Sequence, residues 1–181
     1  AEGNFKIAIQ HYQSGLRISA QTNLGRENVF LTEIGKTHIA SRDSATALKT
    51  TTKATNLHRE QSYAKPDGFP TQAIWWRHVQ ALLANKKIKE AREALDRAYD
   101  LLLEGIQNIP DVGLRRNYLN KVALNRELLQ YWLKDASKRK LSKERTCAYL
   151  NIESNPREPF KRLTNTSVRL NALHTVEEIK N

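Results

Sequence analysis

Gly3-Asn4-Phe5-Lys6-Ile7-Ala8-Ile9-Gln10-His11-Tyr12-Gln13-Ser14-Gly15-Leu16 is the stretch on which the reading of this chain turns. Two small residues, Ala8 and Gly15, stand seven apart in it, each preceded by an aromatic ring, Phe5 or Tyr12. Small residues at that spacing let a neighbouring helix axis approach to roughly 8–10 Å. The same spacing returns as Ala47 and Ala54, and again as Ala91 and Ala98. One pattern recurring along a chain points to stacked helical units, each covering only part of its own apolar surface.

Gly3, Asn4, Phe5, Ala8, Tyr12 and Gly15 resemble the second helix of the tetratricopeptide repeat (TPR). That helix begins Gly-Asp-Tyr-x-x-Ala and continues with an aromatic and a small residue. The resemblance implies an all-α fold of antiparallel helical hairpins, stacked as a short right-handed superhelix, with binding of another protein as the default function. The first helix of this opening repeat is absent, so the chain is expected to begin inside a larger protein. The apolar side of Phe5, Ala8 and Tyr12 is then expected to be uncovered. The lack of any methionine points the same way.

A second repeat runs from about Asn28 to Gln61, with residues 21–27 as an insertion against a period of ~34 residues. Ile34-Gly35 takes the place of the family's Leu-Gly pair, Leu31 and His38 those of its bulky and aromatic partners, and Thr51 replaces the usual second-helix aromatic. Pro66-Asp67-Gly68-Phe69-Pro70 reads as a loop with Asp-Gly at its turn, and Thr71 as the N-cap of the next helix. A third repeat follows from about Gln72. Trp75 fills its large aromatic position, while Ile88, Ala91, Leu95 and Ala98 match Phe5, Ala8, Tyr12 and Gly15. Val79 stands where glycine is usual.

Ile109-Pro110-Asp111 ends one helix and caps the next. From Val112 to about Lys138 the periodicity predicts one long helix. Tyr118, Val122, Leu129 and Trp132 lie on one side, as a terminal helix covering the last hairpin requires. Residues 1–138 therefore read as the repeat domain and 139–181 as a linker with a signalling-type helix. In the second part Phe160, Leu163, Ser167, Leu170 and His174 are spaced like a heptad. Ser167 to Ile179 resembles the helical lead-in of GAF sensor domains, which implies a bacterial multidomain signalling protein. A homodimer through an exposed terminal hairpin or the 160–174 helix is a further expectation.

The formal charge is +11, which suits nucleic acid or an acidic partner. Its densest run, Lys134 to Arg145, reads as a solvated helix end and linker. The single cysteine, Cys147, fits a reducing, cytoplasmic setting. No apolar run is long enough for a membrane span. The five histidines show no metal-ligand spacing and read as packing residues, and no glycine-rich phosphate loop is present. No catalytic constellation is visible, so no enzyme activity and no cofactor is expected.

The expected function is a non-catalytic protein–protein interaction and regulatory scaffold of a signalling protein. The alternative is the repeat region of a transcription regulator that binds nucleic acid directly or indirectly. In TPR proteins the first helix of each hairpin lines a concave groove that holds a protein or peptide. The adjacent Trp75 and Trp76 point about 100° apart on a helix. Trp75 matches the core position, which leaves Trp76 for the groove beside Arg77 and Gln80, with Thr32 and Lys36 from the preceding repeat.

Overall fold

The computed structural model describes residues 2–22 and 25–150. Among these there are eight helices and no strand: α1 (Glu2–Thr22), α2 (Glu27–Ala40), α3 (Ser44–Glu60), α4 (Thr71–Ala84), α5 (Ile88–Gln107), α6 (Val112–Lys121), α7 (Ala123–Lys138) and α8 (Lys143–Cys147). The chain is all-α, and none of these helices is long and apolar enough to cross a membrane. The 160–174 segment and the GAF-like stretch lie outside the described residues.

Helices α2/α3 and α4/α5 form two hairpins with the same turn. Arg42 and Lys86 take left-handed backbone angles, φ 63° and 60°. Each is followed by an amide that reaches back five residues, Asp43 N to His38 O at 2.9 Å and Lys87 N to Leu82 O at 3.0 Å. This paired-carbonyl helix ending usually carries glycine at the left-handed residue. Here it does not, and Ser62 after α3 and Lys140 after α7 repeat the arrangement. Asp43 then caps α3 by accepting the Thr46 amide at 3.1 Å, and hydrogen bonds from the Thr46 side chain and amide hold its carboxyl below the usual pKa. From Glu27 to Thr71 the two hairpins are further apart than ~34 residues, because the 61–70 loop intervenes. In that loop Phe69 N donates to Pro66 O at 3.3 Å, and Gly68 supplies a positive φ of 65° at the turn.

The small residues sit where helices close on one another. Ala47, Ala54 and Ala98 are fully buried, and Ala91 nearly so. α1 packs on α2, and a Cβ at Gly15 would lie 2.4 Å from the Phe30 ring. Phe5, Ala8 and Tyr12 are partly buried rather than uncovered. At Gly35 a Cβ would meet Thr51 Cγ2 at 2.4 Å, so glycine there makes room for a β-branched residue in α3. Ile88 departs from the expected pattern: it is half exposed, because it opens α5 at the hairpin turn, outside the core that Ala91, Leu95 and Ala98 enter.

Three further expectations are corrected. Thr71 is the first residue of α4, after Pro70, and makes no side-chain cap. The long helix from 112 is broken at Val122, whose backbone is extended (φ −77°, ψ 109°). The carbonyls freed by the break are taken up by α7 side chains: Asn125 Nδ2 donates to Tyr118 O at 3.0 Å, and Arg126 Nη1 to Asn120 O at 3.0 Å. Asn125 Oδ1 in turn accepts from the buried Gln72 of α4 at 2.8 Å, which ties the break to the core. Finally, the packed region continues past 138. Arg139 holds both carboxylate oxygens of Asp96 at 2.8 and 2.6 Å, and Arg145 pairs with Asp100. Arg145 also lies over Tyr99 and Trp132, which stack at 3.6 Å. These two arginines of the basic run are therefore built into the fold, while Lys134, Lys138, Lys140 and Lys143 stay exposed.

Two histidines complete the core, as structural residues. Thr51 Oγ1 donates to Ala47 O, which leaves His78 Nδ1 to donate to Thr51 Oγ1 at 3.0 Å. Trp75 Nε1 donates to His58 Nδ1 at 3.0 Å. Burial, with Arg59 nearby, pushes the His78 pKa down to about 4; burial and then Arg97 push His58 down as well.

Gly35→Ala should destabilise the protein by roughly 1–2 kcal/mol through overpacking, although alanine favours helix by about 1 kcal/mol. The double variant Gly35→Ala/Thr51→Ser should recover most of that loss in urea unfolding, since serine removes only the clashing methyl. The unfolded chain also binds protons more readily than the native histidines. Unfolding free energy should therefore be complete above pH ~6.5 and fall as the pH drops toward 4, with His78 contributing on the order of 2–3 kcal/mol. A flat profile across that window would contradict the buried neutral histidines.

Candidate functional site

Helix α4 presents three differently occupied sides, and the one shared with α2 and α7 carries the predicted site residues. Lys36 on α2 is exposed and its Nζ donates to Glu33 Oε2 at 2.9 Å. Arg77 on α4 is partly buried, and its Nη1 donates to Gln80 Oε1 at 2.8 Å. Burial lowers the Arg77 pKa, against the pull of Glu33 on α2 and Glu127 on α7. Arg77 and Gln80 thus meet on α4, and Lys36 lies exposed on the neighbouring α2.

Thr32 and Trp76 are not available to a partner. Thr32 is fully buried and its hydroxyl donates to Asn28 O at 2.6 Å, folded back on its own helix. Trp76 is 4% exposed because α7 closes over it: the Tyr131 ring lies 5.7 Å away, tilted by 57°. Its Nε1 has no hydrogen-bond partner among the described residues. Only the rim of the indole reaches a shallow depression of about 350 Å³ shared with Glu127, Gln130, Tyr131 and Lys134.

Tyr131 is the residue that sequence reasoning missed on this face. It is 39% exposed and takes the place foreseen for Trp76. A signal for it exists: Tyr131-Trp132 is a second adjacent aromatic pair, whose rings point about 100° apart on a helix. Trp132 takes the buried position, stacked on Tyr99, and its Nε1 donates to Asp96 at 2.9 Å. The face therefore offers one exposed aromatic ring, a central arginine and flanking charges of both signs. It can hold a polar protein surface through charge-assisted hydrogen bonds and aromatic contact. Among the described residues no group of three or more His, Cys, Asp or Glu could hold a metal ion.

Trp76→Ala should cost about 3 kcal/mol in urea unfolding, the scale of a large-to-small change at a buried site. Tyr131→Ala should cost about 1 kcal/mol or less, as its ring is partly exposed. A Trp76→Ala variant as stable as the parent would mean that α7 does not cover the indole. Comparison of the chain with protein-family models, curated proteins and solved structures gives no match, so its functional reading rests on this geometry.

Proposed function

We propose that the chain is a non-catalytic protein-interaction scaffold of TPR-like hairpins, a regulatory part of a larger signalling protein. Its α2/α4/α7 face is the docking surface for a protein or peptide. The observation that carries this reading is Arg77, part-buried on α4 and hydrogen-bonded to Gln80, next in the chain to Trp76, which meets the exposed ring of Tyr131. Arginine and tyrosine are among the residues that dominate binding energy when a partner excludes water around them. Glu33 and Glu127, whose charges act on Arg77, suit a partner of mixed charge and oppose a polyanion, which weighs against nucleic acid on this face.

A photocrosslinking residue placed at Gln80 or Lys36 should capture a protein partner, and the same residue at Lys53, on an exposed position of α3, should not. Arg77→Ala and Tyr131→Ala should each weaken binding of that partner at least tenfold, about 1.4 kcal/mol, with unfolding still cooperative. Equal capture at Lys53, or affinity unchanged in both variants, would sink this reading. Binding of random DNA that weakens steeply with salt would favour the transcription-regulator alternative instead.

A further inference from the structure

The other large side of α4 carries a second, separate groove. α3 and α5 flank it, and Trp75 forms its floor with Leu82 and Ala94. Its volume is about 460 Å³, and none of its lining residues borders the depression at Trp76. Across it runs a row of two rings with a cation at each end. Arg59 of α3 lies 4.8 Å from the Trp75 ring centre, Trp75 lies 6.4 Å from Tyr63, and Arg97 of α5 lies 4.2 Å from Tyr63. Tyr63 holds its ring there from a left-handed backbone, φ 60°, imposed by the helix ending after α3.

The two guanidiniums are held in place by ring contact and lack strong carboxylate partners. Arg59 Nη1 donates to the Asn56 side-chain amide at 2.8 Å. Arg97 reaches Glu104 only at 3.7 Å, and its Nε is buried with no hydrogen-bond partner among the described residues. The Arg97 side chain is otherwise partly exposed, and its outward guanidinium nitrogens can take a carboxylate oxygen. The groove is not uniformly basic, however: Glu93 lies on its α5 wall one helical turn before Arg97. A polyanion would meet that carboxylate along the same track.

We propose that this groove binds an extended peptide of another protein, with an acidic side chain between Arg59 and Arg97 and a basic side chain at Glu93. The spacing follows from backbone geometry. Four residues of α5 advance about 6 Å, and an extended peptide advances ~3.3 Å per residue, so the acidic and basic residues should stand two apart. Trp75 and Leu82 would take the apolar residue on the same stretch. This site is independent of the α2/α4/α7 face, so each can fail without the other.

The test uses the full chain with 5-fluorotryptophan, its resonances assigned by Trp75→Phe and Trp132→Phe. The probe is acetyl-Ala-Glu-Ala-Lys-Ala-Leu-Ala-amide, in which Glu, Lys and Leu share one face of the extended chain. A saturable shift of the Trp75 resonance is expected, with Trp76 unmoved. Replacing Glu and Lys of the peptide by Gln should weaken binding at least tenfold. Arg59→Gln should do the same with unchanged unfolding, because Arg59 is exposed and the core does not depend on it. Arg97→Gln should reproduce the loss, and Glu93→Gln should abolish the preference for Lys over Gln in the peptide. No saturable shift at Trp75, a shift at Trp76 alone, equal binding to Arg59→Gln, or a single-stranded oligonucleotide that outcompetes the peptide there would each overturn the proposal.

Discussion

The burial of α4 is the constraint around which the other helices arrange. From Thr71 to Trp76 each of its residues is buried, and Val79, Ala81 and Leu82 continue the pattern. A helix buried on most of its sides must be enclosed by several neighbours rather than laid on one. Here α3 closes one side, where Trp75 hydrogen-bonds to His58, and α5 the next, where Leu95, Ala98 and Leu102 pack. α7 closes the third, where Tyr131 meets Trp76 and Asn125 meets Gln72. Both candidate binding surfaces follow, since each is the seam where two covering helices stop short of meeting over α4.

Polar groups make that enclosure specific. Gln72 donates at once to Tyr118 Oη at 2.9 Å and to Asn125, so the break at Val122 and the seating of α7 are held by one buried amide. On the outer side Asp96 accepts from both Arg139 and Trp132, and Asp100 pairs with Arg145. Buried or half-buried polar networks of this kind tolerate few alternative registers, because a shift by one residue leaves unsatisfied donors. Charge that a residue count assigns to solvent is thereby drawn into the fold, and the +11 net charge overstates what a partner would meet.

Much of the helical order was legible in the sequence. The positions of Ala47, Ala54, Ala91 and Ala98, the Pro66–Pro70 loop and the Asp111 cap all follow from local chemistry and from spacing along one helix. The hairpin turns were harder to read. Their left-handed residues are Arg42 and Lys86, and only glycine at such positions gives a turn away in advance. The break at Val122 was hidden for a related reason: no proline or glycine marks it, and it is maintained by Asn125 and Arg126 reaching back across it.

The sequence by itself determined that the chain is helical, where its small residues bring helices together, and where the Pro66–Pro70 loop and the Asp111 cap fall. These follow from 3.6-residue periodicity and from the capping chemistry of single residues. Only the tertiary structure decided whether each of two adjacent aromatics is buried. Trp75 and Trp76 are equivalent by periodicity, and both are buried because α3, α5 and α7 converge on α4 from different directions. Tyr131 reaches the surface only because α7 crosses α4 at Trp76, a relation between residues far apart in sequence that no local pattern encodes.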